Sequence, residues 1–150
     1  LKVLSFTKEY DTDIITLFHA TGDFNYRNKW FVGVKSVEVP NKHLPRLGMQ
    51  CKCTMDNEEE VICSSGYSFD EERIEINETN ESKIFSTQYS LEKLSLKKTK
   101  LMVDVYIQNG FINRIRFNLF KKKRTESIFN QSLENLVGFA KHLKVPSALS

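Results

Sequence analysis

The spacing of apolar residues changes twice along the chain, and each change marks a different kind of element. In the first ten residues apolar and polar positions alternate loosely, which predicts a β-strand. Residues 14–18 then carry apolar side chains at helical spacing behind a candidate cap at Asp11 or Thr12, and Thr21-Gly22 ends the run. We therefore expect a short helix after the first strand, with another helical turn within residues 23–29.

A period of two governs the middle of the chain. Six strand-like segments follow one another at 34–39, 48–55, 60–69, 73–79, 83–91 and 100–107, with turn-forming residues between them. The connections are too short to hold crossover helices, so neighbouring strands should pair antiparallel. The pattern predicts a six-stranded meander.

Helical spacing returns after the meander. Residues 126–143 repeat apolar side chains at steps of three and four, Thr125 or Ser127 could cap the helix, and Pro146 should stop it. Residues 111–120 fit either a strand or a helix, and we favour a helix. A curved sheet with one apolar face must bury that face, and this C-terminal helix is the long amphipathic element that can cover it.

The order of elements predicts one α+β domain over residues 1–150, which is large enough for a single core. It consists of a strand, two short helices, a six-stranded antiparallel meander and a long C-terminal helix packed across the curved sheet. Alternation assigns an inward face to each strand. The inward residues are Met49, Cys51, Cys53 and Met55; Val61, Cys63, Tyr67 and Phe69; Ile74 and Ile76; Phe85, Tyr89 and Leu91; and Leu101, Val103, Val105 and Ile107.

Three short patterns resemble a known superfamily. They are NKWFVGVKSVE at 28–38, RLGM at 46–49 and SLENL at 132–136, in that order along nearly the whole chain. Together they resemble the START or polyketide-cyclase-like superfamily, also called SRPBCC or helix-grip proteins. Some bacterial members of uncharacterised function form the second half of longer chains, and a start at Leu1 is compatible with an excised domain.

This resemblance implies a cavity between the sheet and the C-terminal helix that binds a small hydrophobic molecule, lipid-like or polyketide-like. Trp30 would stand at its mouth, and Ser65, Thr87, Tyr67 and Tyr89 would orient the ligand. The alternative is a solid core whose hydroxyls bond to backbone neighbours. The predicted lining is Trp30, Met49, Cys51, Cys53, Cys63, Tyr67, Phe69, Phe85, Tyr89, Val103, Val105, Phe129, Leu133 and Leu136.

Catalytic and metal chemistry have little support in the sequence. It contains no Ser-His-Asp set, glycine-rich phosphate loop or H-E-x-x-H motif, so we predict no catalytic residue and no cofactor. A cyclase or hydrolase using Tyr67, Tyr89 or a cavity thiol is the alternative. The three cysteines are expected to be free thiols in a reducing cytoplasm, and no fourth ligand has the spacing that would complete a zinc site.

Charge is small in total but uneven. A net charge of +3 is too small to indicate a nucleic-acid partner, and no apolar run is long enough for membrane insertion. From Phe111 onward eight Lys and Arg face two Asp and Glu. The run Lys121-Lys122-Lys123-Arg124 is interpreted as a solvated helix surface, and the alternative is contact with a nucleic acid or an anionic membrane. A contact for a protein partner is a further hypothesis, typical of a regulatory domain attached to another domain.

Overall fold

The computed structural model describes residues 1–39, 50–55 and 58–144. Its centre is a curved seven-stranded antiparallel sheet in the order β1-β7-β6-β5-β4-β3-β2. The strands are β1 Lys2–Tyr10, β2 Ser36–Glu38, β3 Gln50–Thr54, β4 Glu59–Phe69, β5 Arg73–Asn80, β6 Phe85–Ser95 and β7 Lys98–Ile107. The predicted α+β helix-grip architecture is confirmed, with β1 closing the meander beside β7.

Two short helices connect β1 to β2. Helix α1, Ile14–Gly22, is capped by Asp13, whose carboxylate accepts the backbone N–H of Thr16 at 3.0 Å. The predicted caps, Asp11 and Thr12, are therefore one or two residues too early. After a 3-10 turn at Phe24–Tyr26, α2 spans Arg27–Trp30.

Strand β4 contains a β-bulge. Ser64 pairs with Glu78, but Gly66 pairs with Asn77, so β4 gains one residue relative to β5. A Cβ atom on Gly66 would lie 2.9 Å from Asn77 Nδ2, which explains why a glycine fits at this point of the strand. Because side chains alternate along a strand, the extra residue reverses which positions face the core on either side of it.

The predicted facing is consequently right for the second half of β4 and wrong for the first. Ile62 lies opposite the buried Cys51, so Ile62 faces inward. Cys63 lies opposite Gln50 on the outer face, together with Val61 two positions earlier on the same side. The prediction that Val61 and Cys63 face the core was wrong, because the alternation of apolar and polar residues does not show the extra residue of the β-bulge.

The C-terminal helical region runs from α3, Phe111–Arg116, through a π-helical turn at Phe117–Lys121 into α4, Lys122–His142. This confirms helix over 111–120, whereas no new helix begins at Thr125 or Ser127. On α4 the residues that face the core are Phe129, Ser132, Leu133, Leu136 and Ala140.

Helix α4 packs on β1, α1 and α2. The Tyr10 hydroxyl donates to the Leu133 carbonyl at 2.8 Å, and the Ser132 hydroxyl accepts the Val32 N–H at 2.9 Å. Asn135 donates its side-chain amide to the Trp30 carbonyl at 3.2 Å. The first bond ties α4 to β1, and the other two tie it to α2 and the residues that follow α2.

Parts of the sequence interpretation lie outside the described residues, namely Met49 with the RLGM pattern and Pro146. Within the described ranges, no helix is both long and apolar enough to cross a membrane.

Candidate functional site

Seven of the residues predicted to line a cavity lie together in the main hydrophobic core. They are Trp30, Tyr89, Val103, Val105, Phe129, Leu133 and Leu136. Trp30 is only 1% exposed, with its ring centroid 6.4 Å from that of Tyr89, so the expectation that it stands at a mouth is wrong. The reason is α2, which directs the indole toward the sheet.

The cysteines separate into two environments. Cys51 and Cys53 are buried side by side with their Sγ atoms 3.5 Å apart, in a second core cluster that also contains Phe24 and Val34. Cys63 lies on the outer face of β4 and is partly exposed. The three thiols therefore do not converge on one point.

Three predicted lining residues face inward without being fully covered. Tyr67 and Phe69 are 47% and 50% exposed, and both contact the ring of Phe18 on α1. At the other end of the sheet, Phe85 is half-buried against Phe117, with ring centroids 5.9 Å apart. The concave face is thus open at both ends.

The hydroxyls predicted to orient a ligand are also divided between the two faces. Ser65 points outward and accepts the Thr79 hydroxyl at 2.9 Å, so its predicted inward role is wrong. Thr87 faces inward next to Glu78 and is half-buried, and Tyr89 is buried on the same face.

A buried ion pair lies at the centre of this face. Arg27 on α2 donates from Nη1 to one carboxylate oxygen of Glu78 at 2.9 Å and from Nη2 to the other, forming a two-pronged contact. Nη2 also donates to the Thr21 carbonyl at 3.2 Å. The two charged side chains are 2% and 4% exposed. Such burial is unfavourable unless the charges are paired, so each residue depends on the other.

Aromatic rings surround the guanidinium. The Arg27 Cζ atom lies 5.2–5.9 Å from the ring centroids of Phe24, Trp30, Phe31 and Tyr89. Burial alone would lower the pKa of Arg27, but the Glu78 carboxylate outweighs it and leaves that pKa above its usual range. Arg27 is therefore a permanent cation held in an aromatic cage.

Burial and hydrogen bonding shift the pKa values of the groups beside the ion pair. Burial raises the pKa of Tyr89 despite the nearby Arg27 cation, so its phenol remains a hydrogen-bond donor. The hydrogen bond that Cys51 shares with Cys53, together with burial, raises the pKa of Cys51. The same hydrogen bond lowers the pKa of Cys53, so the two thiols are shifted in opposite directions.

Three buried polar atoms around the pair have no hydrogen-bond partner among the described residues. They are Arg27 Nε, Trp30 Nε1 and the Ser64 hydroxyl oxygen. Ser64 is directly opposite Glu78 on the inward face, and Trp30 lies one helical turn from Arg27, so all three belong to one neighbourhood. Buried donors are rarely left unpaired, because each costs about 1–3 kcal/mol.

The inward face of the sheet is less covered next to this neighbourhood. Beyond Ser64 and Glu78, the inward residues of β4, β5 and β6 are only partly covered: Glu60, Ile62, Asn80, Phe85 and Thr87. Burial raises the pKa of Glu60, one of these partly covered residues. Helix α4 packs on the β1 side, leaving this part of the face less covered.

Two open grooves occur elsewhere on the surface. One of about 430 Å³ follows the polar face of α4, and one of about 350 Å³ lies between β1 and α4. Of the predicted lining residues, only Leu133 borders either groove. Neither groove reaches the Arg27–Glu78 pair, so neither corresponds to the cavity that the sequence predicted.

The ion pair was missed by the sequence analysis, although a signal for it was present. Glu78 continues the inward alternation of Ile74 and Ile76, and a carboxylate in an apolar stripe indicates a buried cation nearby. Arg27 stands three residues before Trp30, the spacing of one helical face. Ser64 could not be placed, because the bulge decides its direction.

Comparison with known proteins shows what this fold is similar to. No family model and no curated protein matches the sequence. Among solved structures, hypothetical protein jhp0584 from Helicobacter pylori has a TM-score of 0.70 and 11% identity, covering 91% of this chain and 86% of that one. The KanY protein has a TM-score of 0.70 and 10% identity, covering 94% and 97%.

A third structural neighbour comes from a biosynthetic locus. DynU16, a putative protein in the dynemicin biosynthetic locus, has a TM-score of 0.59 and 11% identity, covering 93% of this chain and 47% of DynU16. At such identities the similarity shows the fold alone. The chain has the same α+β architecture as these bacterial and biosynthesis-associated proteins.

Proposed function

We propose that this protein binds a small, largely apolar molecule in the concave face of the sheet, beside the Arg27–Glu78 pair. The observation that carries the proposal is the set of unpaired donors at Arg27, Trp30 and Ser64. A ligand with a hydrogen-bond acceptor would relieve the cost of leaving such groups unpaired. Its route of entry would follow the partly covered inward residues Glu60, Ile62, Asn80, Phe85 and Thr87.

The charges favour a neutral acceptor over an anion. Glu78 already neutralises Arg27, so a second carboxylate at this place would be repelled by Glu78 and would lose its own hydration. A ketone or ester carbonyl accepts hydrogen bonds without either cost. Apolar and aromatic neighbours would surround the rest of the molecule.

We also propose membership of the START or polyketide-cyclase-like superfamily. Two of its sequence patterns contact each other in the fold: Ser132 and Asn135 of SLENL bond to Val32 and Trp30 of NKWFVGV. These hydrogen bonds give a structural reason for the two patterns to occur together in one sequence.

The test uses prodan, a neutral naphthalene ketone whose emission reports both apolar surroundings and hydrogen bonding to its carbonyl. Ser64→Ala removes one interior donor and should weaken prodan binding about five- to tenfold, the value of a typical hydrogen bond. Ser65→Ala removes the neighbouring hydroxyl, which points outward to Thr79, and should leave the affinity unchanged.

Failure of prodan to bind the folded protein would contradict the proposal. Equal affinities for the two serine variants would also contradict it, because binding would then be occurring elsewhere. The cyclase or hydrolase alternative stays a prediction of its own. It requires turnover that is lost on Tyr89→Phe or Cys53→Ser.

A further inference from the structure

Residues 111–124, called here the basic apolar segment, display large apolar side chains that the fold does not use. Phe117 is the one residue of this segment that is buried. The exposed fractions are 79% for Phe111, 73% for Ile112, 41% for Ile115, 69% for Leu119 and 77% for Phe120. Several large apolar side chains exposed within fourteen residues are typical of a surface that binds a protein partner or a membrane.

The same segment carries only positive charge. It contains six Lys and Arg and no Asp or Glu: Arg114, Arg116, Lys121, Lys122, Lys123 and Arg124. All six are exposed. Lys121 lies over the ring of Phe85 with Nζ 5.5 Å from the centroid, which fixes the segment at one end of the sheet. Cations and exposed apolar chains therefore share one short helical stretch.

We propose that the basic apolar segment docks this protein on the surface of an anionic lipid bilayer. In that arrangement the apolar side chains enter the headgroup and acyl boundary while the Lys and Arg side chains contact lipid phosphates. At 1.5 Å per residue, fourteen helical residues extend about 21 Å, enough for several headgroup contacts. This inference is independent of the proposed interior ligand.

Charge and apolar complementarity disfavour a second copy and a nucleic acid as the partner. In a two-fold contact between two copies, the same segment would face itself and bring six cations against six. A nucleic-acid duplex would satisfy the cations but not the exposed apolar side chains, which find no partner on its phosphate backbone. A bilayer with anionic headgroups matches both features at once.

The test is sedimentation of the 150-residue protein with vesicles of phosphatidylcholine and phosphatidylglycerol at 7:3, compared with pure phosphatidylcholine. We expect binding to the anionic vesicles alone, weakened by 0.5 M NaCl because salt screens the headgroup charge. The variant Lys122→Gln/Lys123→Gln/Arg124→Gln should bind roughly 100-fold more weakly, at about fivefold for each cation lost.

A second variant separates the apolar contribution. Ile112→Asn/Leu119→Asn keeps every charge and should also lose vesicle binding. The matched control is Leu96→Asn/Lys97→Gln, on the β6–β7 hairpin at the opposite end of the sheet, where Leu96 is 80% exposed. This control should bind like the parent protein. Because all these positions are exposed, circular dichroism should show native folding in each variant.

Four results would overturn the proposal. The first is absence of sedimentation with the anionic vesicles, and the second is equal loss of binding in the control variant. The third is a concentration-dependent dimer that Ile112→Asn/Leu119→Asn abolishes while vesicles bind neither protein, which would assign the surface to a second copy. Tighter binding to duplex DNA than to the vesicles would likewise refute it.

Discussion

Replacing Glu78 by Gln should destabilise the protein strongly. The substitution keeps the shape of the side chain but leaves the fully buried Arg27 cation without its counter-charge. Removing one partner of a buried pair typically costs 3–5 kcal/mol, so we expect a loss of about 4 kcal/mol. For a domain with roughly 5–15 kcal/mol of stability, this is a large fraction.

Urea unfolding followed by circular dichroism measures this loss. At a slope of about 2 kcal/mol per molar urea, the midpoint should fall by roughly 2 M. The double variant Arg27→Met/Glu78→Leu removes both charges and should recover most of the loss, since a buried pair can be replaced by apolar side chains of similar size. The double variant should therefore show strong non-additivity.

Glu75 on the same strand provides the matched control. Its bond to Arg73 is 3.0 Å long but lies at the surface, so Glu75→Gln should change stability by no more than about 0.5 kcal/mol. A loss below about 1 kcal/mol for Glu78→Gln would refute the reasoning. The reasoning is also refuted if the stability losses of Arg27→Met and Glu78→Leu, each measured alone, add up to the loss of the double variant.

Three further outcomes follow from single residues. In the native protein a thiol reagent should modify Cys63 rapidly and reach Cys51 and Cys53 only through unfolding; uniform labelling would contradict their burial. Burial lowers the pKa of His19 below 6.5, so the unfolded state takes up a proton that the folded state resists. Unfolding free energy should fall as the pH drops from above 6.5 toward that lowered pKa, and His19→Gln should flatten this dependence in urea titrations. Gly33→Ala should cost about 1–2 kcal/mol in the same assay, because φ is +88° and the new Cβ would lie 3.4 Å from Met55 Cε; unchanged stability would argue against this conformation.

The arrangement of elements could be predicted because each follows from local periodicity. The change from a period of two to helical spacing near Gly110 separates β7 from α3, as the structure confirms. Pairing of neighbouring strands followed from connections too short for crossovers. These inferences need no information about distant contacts.

The direction of individual side chains on β4 could not be predicted in the same way. One extra residue near Gly66 reverses the facing of Cys63 and Ser64, and a bulge depends on the neighbouring strand. Gly66 within an otherwise continuous strand was the available sign of it.

Predicting the ion pair would have required knowing which residues, far apart in sequence, meet in the folded protein. Arg27 and Glu78 are 51 positions apart in sequence and meet only when α2 folds over β5. The sequence could indicate that Glu78 needs a buried partner, but several basic residues were candidates for that role. Trp30 was misplaced for the same reason, since its burial depends on the docking of α2.

The indole N–H of Trp30 tests the central claim most directly, because this is the one tryptophan in the chain and gives a single indole signal in a ¹⁵N–¹H spectrum. We predict that prodan titration moves the indole proton downfield as Nε1 donates to the ketone, and that the shift saturates with the dissociation constant measured by fluorescence. An indole signal that stays unchanged while prodan is bound would contradict a ligand site beside Arg27 and Glu78.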